Sequence, residues 1–298
     1  MSSRAILSVL CALISAMWVM SARADDLDDV LARGELRHLG IPYANFVTGA
    51  GDGLDVEIVQ GFARQLGVRY TLVRTDFYSV VRDLLGRDVA RKGEEVELTG
   101  DFPIRGDIIA TGFTVLPWRS KVVLFSEPTF PSQVWLVAPA NSALLPTRES
   151  GSLAHDIEET KAKIGGRSLL VMEKTCLDPA NYALKGKGID LRAYTRSTNL
   201  NEMVPALLNG EGDLTLLDVP DAILDLRKWA GRIKVLGPVS EEQELAAAFR
   251  HSGPRLRQAF DAYLKTIRSN GTYDALVDRY YPGIRNTLPN FFVRYPSR

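Results

Sequence analysis

The feature that most constrains the fold of this chain is an alternation of short apolar runs with amphipathic stretches. Residues 36–41 are predicted to form a strand. Apolar side chains at positions 58, 59, 62 and 66 then recur at helical spacing until Gly67, with Asp55 expected as the helix cap. Further strand-like runs follow at 70–73, 108–111, 122–125 and 134–137. This β-α-β-α order predicts an α/β fold with a largely parallel sheet and helices on its faces.

A second series of the same kind begins after a polar connector at residues 141–152. Strands are predicted at 168–171, 190–194, 214–217 and 233–236, and helices at 157–164, 179–184, 200–208 and 220–229. The C-terminal part returns to helix at 255–268 and 273–281, whereas the polar stretch 86–106 is expected to form a surface loop or small hairpin. Two similar α/β lobes account for this order better than one continuous sheet.

The first 24 residues differ from the rest of the chain. Arg4 precedes an almost unbroken apolar run at 5–20, and Ala22-Arg23-Ala24 matches the A-x-A cleavage pattern of an export signal. An N-terminal membrane anchor is the alternative, but the run is shorter than the roughly 20 residues that span a bilayer. We therefore expect an exported protein whose signal peptide, residues 1–24, is cleaved after Ala24.

Composition narrows the classes of function. The 298 residues are 46% apolar, enough for a core in one or two domains, and 36 basic residues balance 36 acidic ones, which argues against a nucleic-acid partner. The histidines, His38, His155 and His251, have no metal-ligand spacing, and removal of the signal leaves Cys176 without a second cysteine. We expect no metal site, no other cofactor and no disulfide.

The segment from Gly106 to Arg119 contains the most specific candidate for a ligand-binding motif. A predicted strand ends at Gly112, a hydroxyl follows at Thr114, and a guanidinium arrives at Arg119, where the chain has turned. A backbone N–H, a hydroxyl and a bidentate guanidinium are the groups that a buried carboxylate requires. Taken alone, an arginine after a strand is more often a solvated surface residue, so the segment by itself leaves both alternatives open.

This segment resembles the carboxylate-binding part of the periplasmic amino-acid-binding proteins, solute-binding protein family 3. Members typically carry G-x-T-x-T-x-x-R followed by a phrase such as F-S-x-P. Family-like phrases run in the family's order from about residue 27 to residue 282. They are Gly53-Leu54-Asp55-Val56-Glu57, Phe125-Ser126-Glu127-Pro128, Gly212-Asp213 leading to Asp218, and Asn270-Gly271-Thr272-Tyr273-Asp274.

The resemblance implies a two-lobed periplasmic-binding-protein fold of the Venus-flytrap type, with two hinge crossings near residues 136–140 and 238–246. Lobe one would comprise residues 25–137 and 241–298, and lobe two residues 138–240. The ligand would lie in the cleft between them, and the lobes would close around it. The implied function is that of a monomeric periplasmic protein that captures an amino acid or similar small carboxylate and delivers it to an inner-membrane permease or sensor.

Site residues follow from the resemblance position by position. Arg119 and Thr114, with the backbone at Gly112, would hold the α-carboxylate of the ligand from lobe one. Asp218 corresponds to the carboxylate that pairs with an α-ammonium, and its alternative role is that of a helix cap. Thr175 would donate to the carboxylate from lobe two, at the N-terminus of the following helix, where the dipole also favours an anion.

The rest of the cleft is less closely defined. Aromatic lining is expected from Tyr43, Phe46 and Phe77, for each of which ordinary core packing is the alternative. Three residues depart from the family pattern: Lys174 stands in place of a glycine, Leu116 replaces a hydroxyl, and Trp118 replaces a usual Glu or Lys. The 86–105 stretch adds residues close to where lobe one meets the cleft. The identity of the ligand side chain is therefore left open.

Two other functions remain open at this stage. The family resembles periplasmic cyclohexadienyl dehydratases, in which a cleft carboxylate acts as a general acid, and Glu173 or Glu127 could serve if a low-dielectric site raised its pKa. The other function is that of a ligand-sensing or scaffolding partner whose cleft has drifted, as the departures at Leu116, Trp118 and Lys174 suggest. No nucleophile and base pair is evident in the sequence, so we expect a binding protein rather than an enzyme.

Overall fold

The computed structural model describes residues 26–92, 95–185 and 188–297. The predicted signal peptide, residues 1–24, lies outside the described residues. Within the described ranges, no helix is both long enough and apolar enough to cross a membrane.

The helices and strands follow the predicted order closely. The strands, numbered along the chain, are β1 (Glu35–Gly40), β2 (Arg69–Arg74), β3 (Asp88–Lys92), β4 (Glu95–Thr99), β5 (Ile108–Ile109), β6 (Leu124–Phe125), β7 (Phe130–Ser132), β8 (Val134–Pro139), β9 (Ser168–Val171), β10 (Asp190–Ala193), β11 (Leu214–Asp218), β12 (Ile233–Pro238), β13 (Gln243–Leu245) and β14 (Ala248–Phe249). The α-helices are α1 (Asp26–Arg33), α2 (Leu54–Leu66), α3 (Val80–Leu85), α4 (Pro117–Ser120), α5 (Leu153–Ala162), α6 (Met203–Leu208), α7 (Val219–Lys228), α8 (Pro254–Ser269), α9 (Thr272–Tyr280), α10 (Ile284–Thr287) and α11 (Pro289–Arg294), and short 3₁₀ helices span Pro179–Tyr182 and Leu200–Glu202.

Two five-stranded sheets form the two lobes. The first has the order β2-β1-β5-β14-β6, and the second has the order β10-β9-β11-β8-β12. The strands β1, β2 and β5 run parallel, as do β9, β10 and β11, whereas β14 and β8 pair antiparallel with their neighbours. The largely parallel arrangement predicted from the sequence is therefore found, since four of the five strands in each sheet run in the same direction. The exceptions are β14 and β8, which follow the hinge strands rather than a helical crossover.

The chain passes between the sheets at an antiparallel ladder of β7 with β13, in which Phe130 pairs with Leu245 and Ser132 with Gln243. A single β-bridge between Thr114 and Leu245 joins this ladder to the segment that precedes α4. All of β8 pairs within the second sheet, so that sheet begins at Val134, a few residues before the boundary expected from the sequence. The assignment of residues to lobes otherwise stays a prediction.

The helix α2 buries its apolar face, including Phe62, against α8, where the Phe62 and Phe260 rings meet edge to face at 5.3 Å. Its N-cap is Gly53 and not Asp55, so the predicted capping role of Asp55 is wrong. Asp55 lies in the first turn, and its carboxylate instead accepts a hydrogen bond from the backbone N–H of Gly112.

The polar stretch after Gly86 forms a hairpin, β3 paired with β4 from Asp88 opposite Thr99 to Lys92 opposite Glu95. Its base is held to lobe one because the Phe102 N–H donates to the Gly86 carbonyl at 2.8 Å, and the Arg82 guanidinium lies 5.1 Å above the Phe102 ring. The hairpin therefore projects from a fixed base beside the cleft.

Candidate ligand-binding site

Arg119 lies on α4, a single turn that begins at Pro117 with Leu116 as its N-cap. Its side chain is buried, with 2% of the residue exposed. One terminal nitrogen donates to the Thr114 carbonyl at 2.9 Å, and the guanidinium lies 4.0 Å above the Phe113 ring. The Nε–H is buried and has no hydrogen-bond partner. The guanidinium thus keeps donor capacity that the protein does not use.

The surroundings of Arg119 are poor in negative charge. Burial lowers the pKa of Arg119 to about 10, and the titratable groups that act on it are Cys176, Tyr182 and Arg91. In the described part of the chain, no carboxylate oxygen lies within 4.0 Å of its guanidinium. Buried charges in proteins are normally paired, so this position is suited to an anionic group from outside the chain.

Asp218 ends β11 and faces the same region from lobe two. Its carboxylate accepts a hydrogen bond from the Tyr43 hydroxyl of lobe one, and the Cys176 Sγ lies 3.9 Å from Oδ2. It also caps α7 by accepting from the backbone N–H of Asp221 at 3.3 Å, so the cap role and the cleft position coexist. Burial raises the pKa of Asp218 to about 6, while the Tyr43 hydroxyl opposes that rise.

Several residues of this region were not predicted from the sequence. Asn201 joins the lobes by accepting from the Ala44 N–H at 3.1 Å and donating to the Pro42 carbonyl at 3.4 Å. Tyr182 donates to the Cys176 carbonyl at 2.5 Å. The Asn201 contacts join residues distant in sequence, and no motif marks either Asn201 or Tyr182. A helix-capping pattern in the sequence could have identified only the adjacent Asn199, which caps the 3₁₀ helix.

The backbone N–H of Gly112 has a partner within the protein. Its N–H donates to Asp55 Oδ2 at 2.7 Å, so a ligand could use this donor only by displacing Asp55, and the predicted contact stays a prediction. Gly112 has φ of +61°, and a Cβ atom there would lie 2.4 Å from the Phe46 ring. The glycine is needed for this turn and for the close approach of Phe46.

The two predicted hydroxyls differ in their availability. The Thr175 hydroxyl donates to the Met172 carbonyl at 2.7 Å and accepts from the Leu177 N–H at 3.1 Å. The helix that follows is a short 3₁₀ turn capped by Asp178, which does not favour the predicted donation from Thr175 at a helix N-terminus. Thr114 is buried beside Arg119 and its side chain contacts the Cys176 thiol, so it stays a candidate.

Of the three predicted aromatic residues, one packs in the core and two lie at the cleft. Phe46 is fully buried, with the Phe130 and Tyr281 rings at 5.3 and 5.0 Å, which favours the core alternative. Tyr43 is also buried but directs its hydroxyl to Asp218 in the other lobe. Phe77 packs edge to face on Tyr43 at 5.5 Å and lines the cavity at the mouth of the cleft.

That cavity has a volume of about 760 Å³ and is bounded by both lobes. Lobe one contributes Phe77, Tyr78, Trp118 and residues of the β3–β4 hairpin, and lobe two contributes Glu173, Lys174, Asp178, Ala180 and Lys185. Its size is within the range of about 300–1,000 Å³ that is usual for small-molecule sites.

The two glutamates considered as general acids are placed differently. Glu173 lines the cavity, but its side chain is half exposed and forms an ion pair with Lys185 at 3.2 Å. Glu127 is exposed and lies beside Asp261 and Arg268 in a separate cavity, so the expectation that it lies near the cleft is wrong. Burial raises the pKa of the Cys176 thiol to about 12, which disfavours the nucleophilic thiolate near neutral pH.

Two sheets joined by a paired hinge, with a buried guanidinium that has no carboxylate partner among the described residues, define a two-lobed α/β protein. The model of the bacterial extracellular solute-binding proteins, family 3, matches residues 104–283, more than half of the chain. The chain belongs to this family, which confirms the family and the fold class predicted from the sequence.

Curated relatives include both binding proteins and enzymes. The membrane-bound lytic murein transglycosylase F of Desulfosudis oleivorans is 28% identical over 233 residues, which cover 78% of this chain but 44% of that protein. The lysine/arginine/ornithine-binding periplasmic protein of Escherichia coli is 21% identical over 237 residues, 77% of this chain and 78% of that protein. The chain spans about half the length of the transglycosylases F that it matches.

Solved structures with the same fold are amino-acid-binding proteins and their relatives. A variant of the arginine-binding protein ArgBP from T. maritima superposes with a TM-score of 0.67 at 22% identity, covering 86% of this chain and 99% of that one. The ancestral amino acid-binding protein AncCDT-1, a precursor of cyclohexadienyl dehydratase, gives the same TM-score, identity and coverage. At these identities the likeness concerns the fold.

Proposed function

We propose that this protein captures an amino acid or a similar small carboxylate in the cleft between its lobes, in the periplasm. One observation carries the proposal: the Arg119 guanidinium is buried and has no carboxylate within ion-pair distance among the described residues. A buried cation without a counter-ion is costly. A ligand carboxylate would neutralise that charge and could accept from the unpartnered Nε–H.

Asp218 supports an amino group on the same ligand. Its buried carboxylate accepts from the Tyr43 hydroxyl across the cleft, and a ligand ammonium is a stronger donor to a carboxylate than a neutral phenol is. We expect the ammonium to take over this interaction, so that the lobes close on the ligand rather than on each other. The names of relatives, which bind arginine or lysine, arginine and ornithine, support an amino acid as the ligand class.

The export signal predicted at residues 1–24 and the extracellular family support a periplasmic protein that delivers its ligand to an inner-membrane permease. The likeness to transglycosylase F over 78% of this chain favours a second candidate, a ligand-sensing partner of another envelope protein. Both roles use the same ligand site. Cross-linking in intact cells with and without ligand distinguishes them by whether the ligand-bound form contacts a permease.

The surroundings of the two glutamates considered as general acids favour a binding protein over an enzyme. A general acid in a cleft is activated by a water-excluded environment that raises its pKa. The half-exposed, ion-paired Glu173 has no such environment, and Glu127 lies elsewhere. Asp218 is buried and its pKa is raised to about 6, but it is assigned here to the ligand ammonium. Incubation with prephenate and arogenate is therefore expected to leave both compounds unchanged, and their conversion would revive the dehydratase alternative.

Substitution of Arg119 by Ala is expected to weaken binding of the ligand about 10-fold to 100-fold, because a charge-assisted contact of about 1.5–3 kcal/mol is lost. The purified exported protein is screened against the amino acids and common small carboxylates by thermal shift, and hits are measured by calorimetry. A ligand present at 100 times its dissociation constant stabilises the folded state by about 2.7 kcal/mol.

Arg268→Ala is the matched control. Arg268 is also a buried arginine with one carbonyl bond, to Pro128, an unpartnered Nε and two aromatic neighbours, but it lies away from the cleft. We expect this variant to bind ligand like the unaltered protein. If Arg119→Ala binds the ligand as tightly as the unaltered protein, the assigned site is refuted. If no compound of the panel binds the unaltered protein, the proposed function is refuted.

A further inference from the structure

The cavity at the cleft mouth, called here the outer cavity, carries more positive than negative charge. Four cationic side chains and three acidic ones line it. The acidic ones are all engaged: Asp88 faces Arg82 at 3.7 Å, and Lys185 lies 3.2 Å from Glu173 and 3.4 Å from Asp178. The surplus charge of the outer cavity therefore resides on the two remaining cations.

Those cations are Arg91, on strand β3 of the hairpin in lobe one, and Lys174, in lobe two. The Arg91 guanidinium lies 4.9 Å above the Trp118 ring, and the Lys174 ammonium lies 5.8 Å above the Tyr78 ring. Among residues 26–92, 95–185 and 188–297, no carboxylate oxygen lies within 4.0 Å of either. Both residues are exposed, and each cation lies over an aromatic ring, so its hydrogen-bond donors are accessible to a ligand group in place of water.

Trp118 connects the outer cavity to the Arg119 site. Its indole ring has Arg91 at 4.9 Å and Arg119 at 5.3 Å, so the two guanidinium groups contact the same ring. The indole N–H is buried and has no hydrogen-bond partner. A ligand held at Arg119 could therefore extend along Trp118 and reach Arg91 with a second polar end.

We propose that Arg91 and Lys174 form a second anion subsite, and that the ligand carries an acidic group at its distal end as well as the carboxylate held by Arg119. The proposal rests on the proposed function and specifies its ligand class. Because Arg91 belongs to lobe one and Lys174 to lobe two, the distal group would bridge the lobes and favour the closed form. The hairpin and Lys174, where the chain departs from the family pattern, thereby select longer diacidic ligands.

The test uses probes that share one stem and differ at the distal end. L-norleucine, L-2-aminoadipate and L-2-amino-5-phosphonopentanoate carry a methyl, a carboxylate and a phosphonate at the same position. L-2-aminooctanoate and L-2-aminosuberate repeat the comparison with a longer stem. We expect calorimetry to give about 10-fold or greater preference for the acidic member in at least one stem length. The phosphonate identifies which acid the subsite holds better.

The variants Arg91→Gln and Lys174→Asn test whether these two side chains cause the preference for an acidic distal group. Asparagine is chosen for position 174 because this residue has φ of +61°, a region that Asn tolerates. Each variant is expected to reduce the preference for the acidic member about 10-fold while leaving binding of the methyl member unchanged. Arg87→Gln is the control, since Arg87 is an exposed arginine beside the same hairpin that is not among the residues lining the outer cavity.

Equal affinity for acidic and methyl probes, with both lost in Arg119→Ala, would overturn the subsite and leave the proposed function intact. A preference that persists in Arg91→Gln and Lys174→Asn would also overturn it, because the distal group would then be held elsewhere. Failure of all five probes to bind would overturn the subsite as well, while the amino-acid and carboxylate panel decides the proposed function separately.

Discussion

Replacing Gly112 by alanine is expected to lower the free energy of unfolding by about 2–5 kcal/mol. The φ of +61° costs an alanine about 1–2 kcal/mol. The new Cβ would also lie 2.4 and 2.5 Å from two atoms of the Phe46 ring, and overpacking of this kind costs about 1–3 kcal/mol. Phe46 cannot move aside easily because Phe130 and Tyr281 pack against it. Urea unfolding measures the change.

Gly34→Ala is the control for that prediction. Gly34 has a similar φ of +68°, but a Cβ there meets no heavy atom within 4 Å, so only the backbone cost of about 1–2 kcal/mol is expected. Equal losses in the two variants would show that Phe46 yields and that its close packing is not what demands a glycine. A larger loss of unfolding free energy in Gly112→Ala than in Gly34→Ala would show that the aromatic core around Phe46 fixes the turn leading to Thr114 and Arg119.

The order of elements and the position of Arg119 could be predicted from the sequence for a physical reason. Hydrophobic periodicity reports which face of each segment is buried, and it therefore predicts strands and helices without knowledge of their partners. Arg119 belongs to a short sequence motif, and the turn on which it lies is formed by residues 112–119 alone. Its burial and its lack of a counter-ion follow from packing of both lobes and could not be predicted from the phrase.

The residues whose contacts differ from those predicted do so for two reasons, a distant partner in one case and a local partner in the other. Asp55 and Gly112 were assigned from their local surroundings, yet they hydrogen bond to each other across 57 positions of sequence. Thr175 was assigned a ligand contact, but its hydroxyl is satisfied by its own turn. Polar side chains next to turns have local partners available, and sequence spacing does not reveal which partner is chosen. Asp218 shows both outcomes, as it caps α7 and also binds Tyr43.

The hydrogen bonds between the lobes bear directly on ligand binding. Tyr43 and Asn201 join the lobes directly, by hydrogen bonds to Asp218 and to the backbone at residues 42 and 44. A ligand that replaces such bonds must supply equivalent donors and acceptors, or leave buried polar groups unsatisfied at a cost of about 1–3 kcal/mol each. The carboxylate proposed for Arg119 and the donor proposed for Asp218 would thus serve closure of the lobes as well as direct contact.

The pH dependence of stability is expected to change strongly when Asp55 is replaced by asparagine. Asp55 is 4% exposed, and burial raises the pKa of its carboxyl to about 7, with the hydrogen bond from the Gly112 N–H opposing that rise. The folded state therefore holds a proton that the unfolded state releases near pH 4. The stabilisation from this proton is fully present below about pH 4 and is lost as the pH rises to about 7.

Unaltered protein should lose up to about 4 kcal/mol of unfolding free energy relative to Asp55→Asn between pH 4 and pH 7, since each unit of pKa shift corresponds to about 1.4 kcal/mol. Other groups titrate in both proteins and cancel in the difference. Asp213→Asn is the control: hydrogen bonds from Ser168 lower the pKa of Asp213, so the corresponding difference should stay level above pH 5. A level difference for Asp55→Asn over the same range would mean that Asp55 is ionised in the folded protein, with Gly112 sufficient to hold its charge.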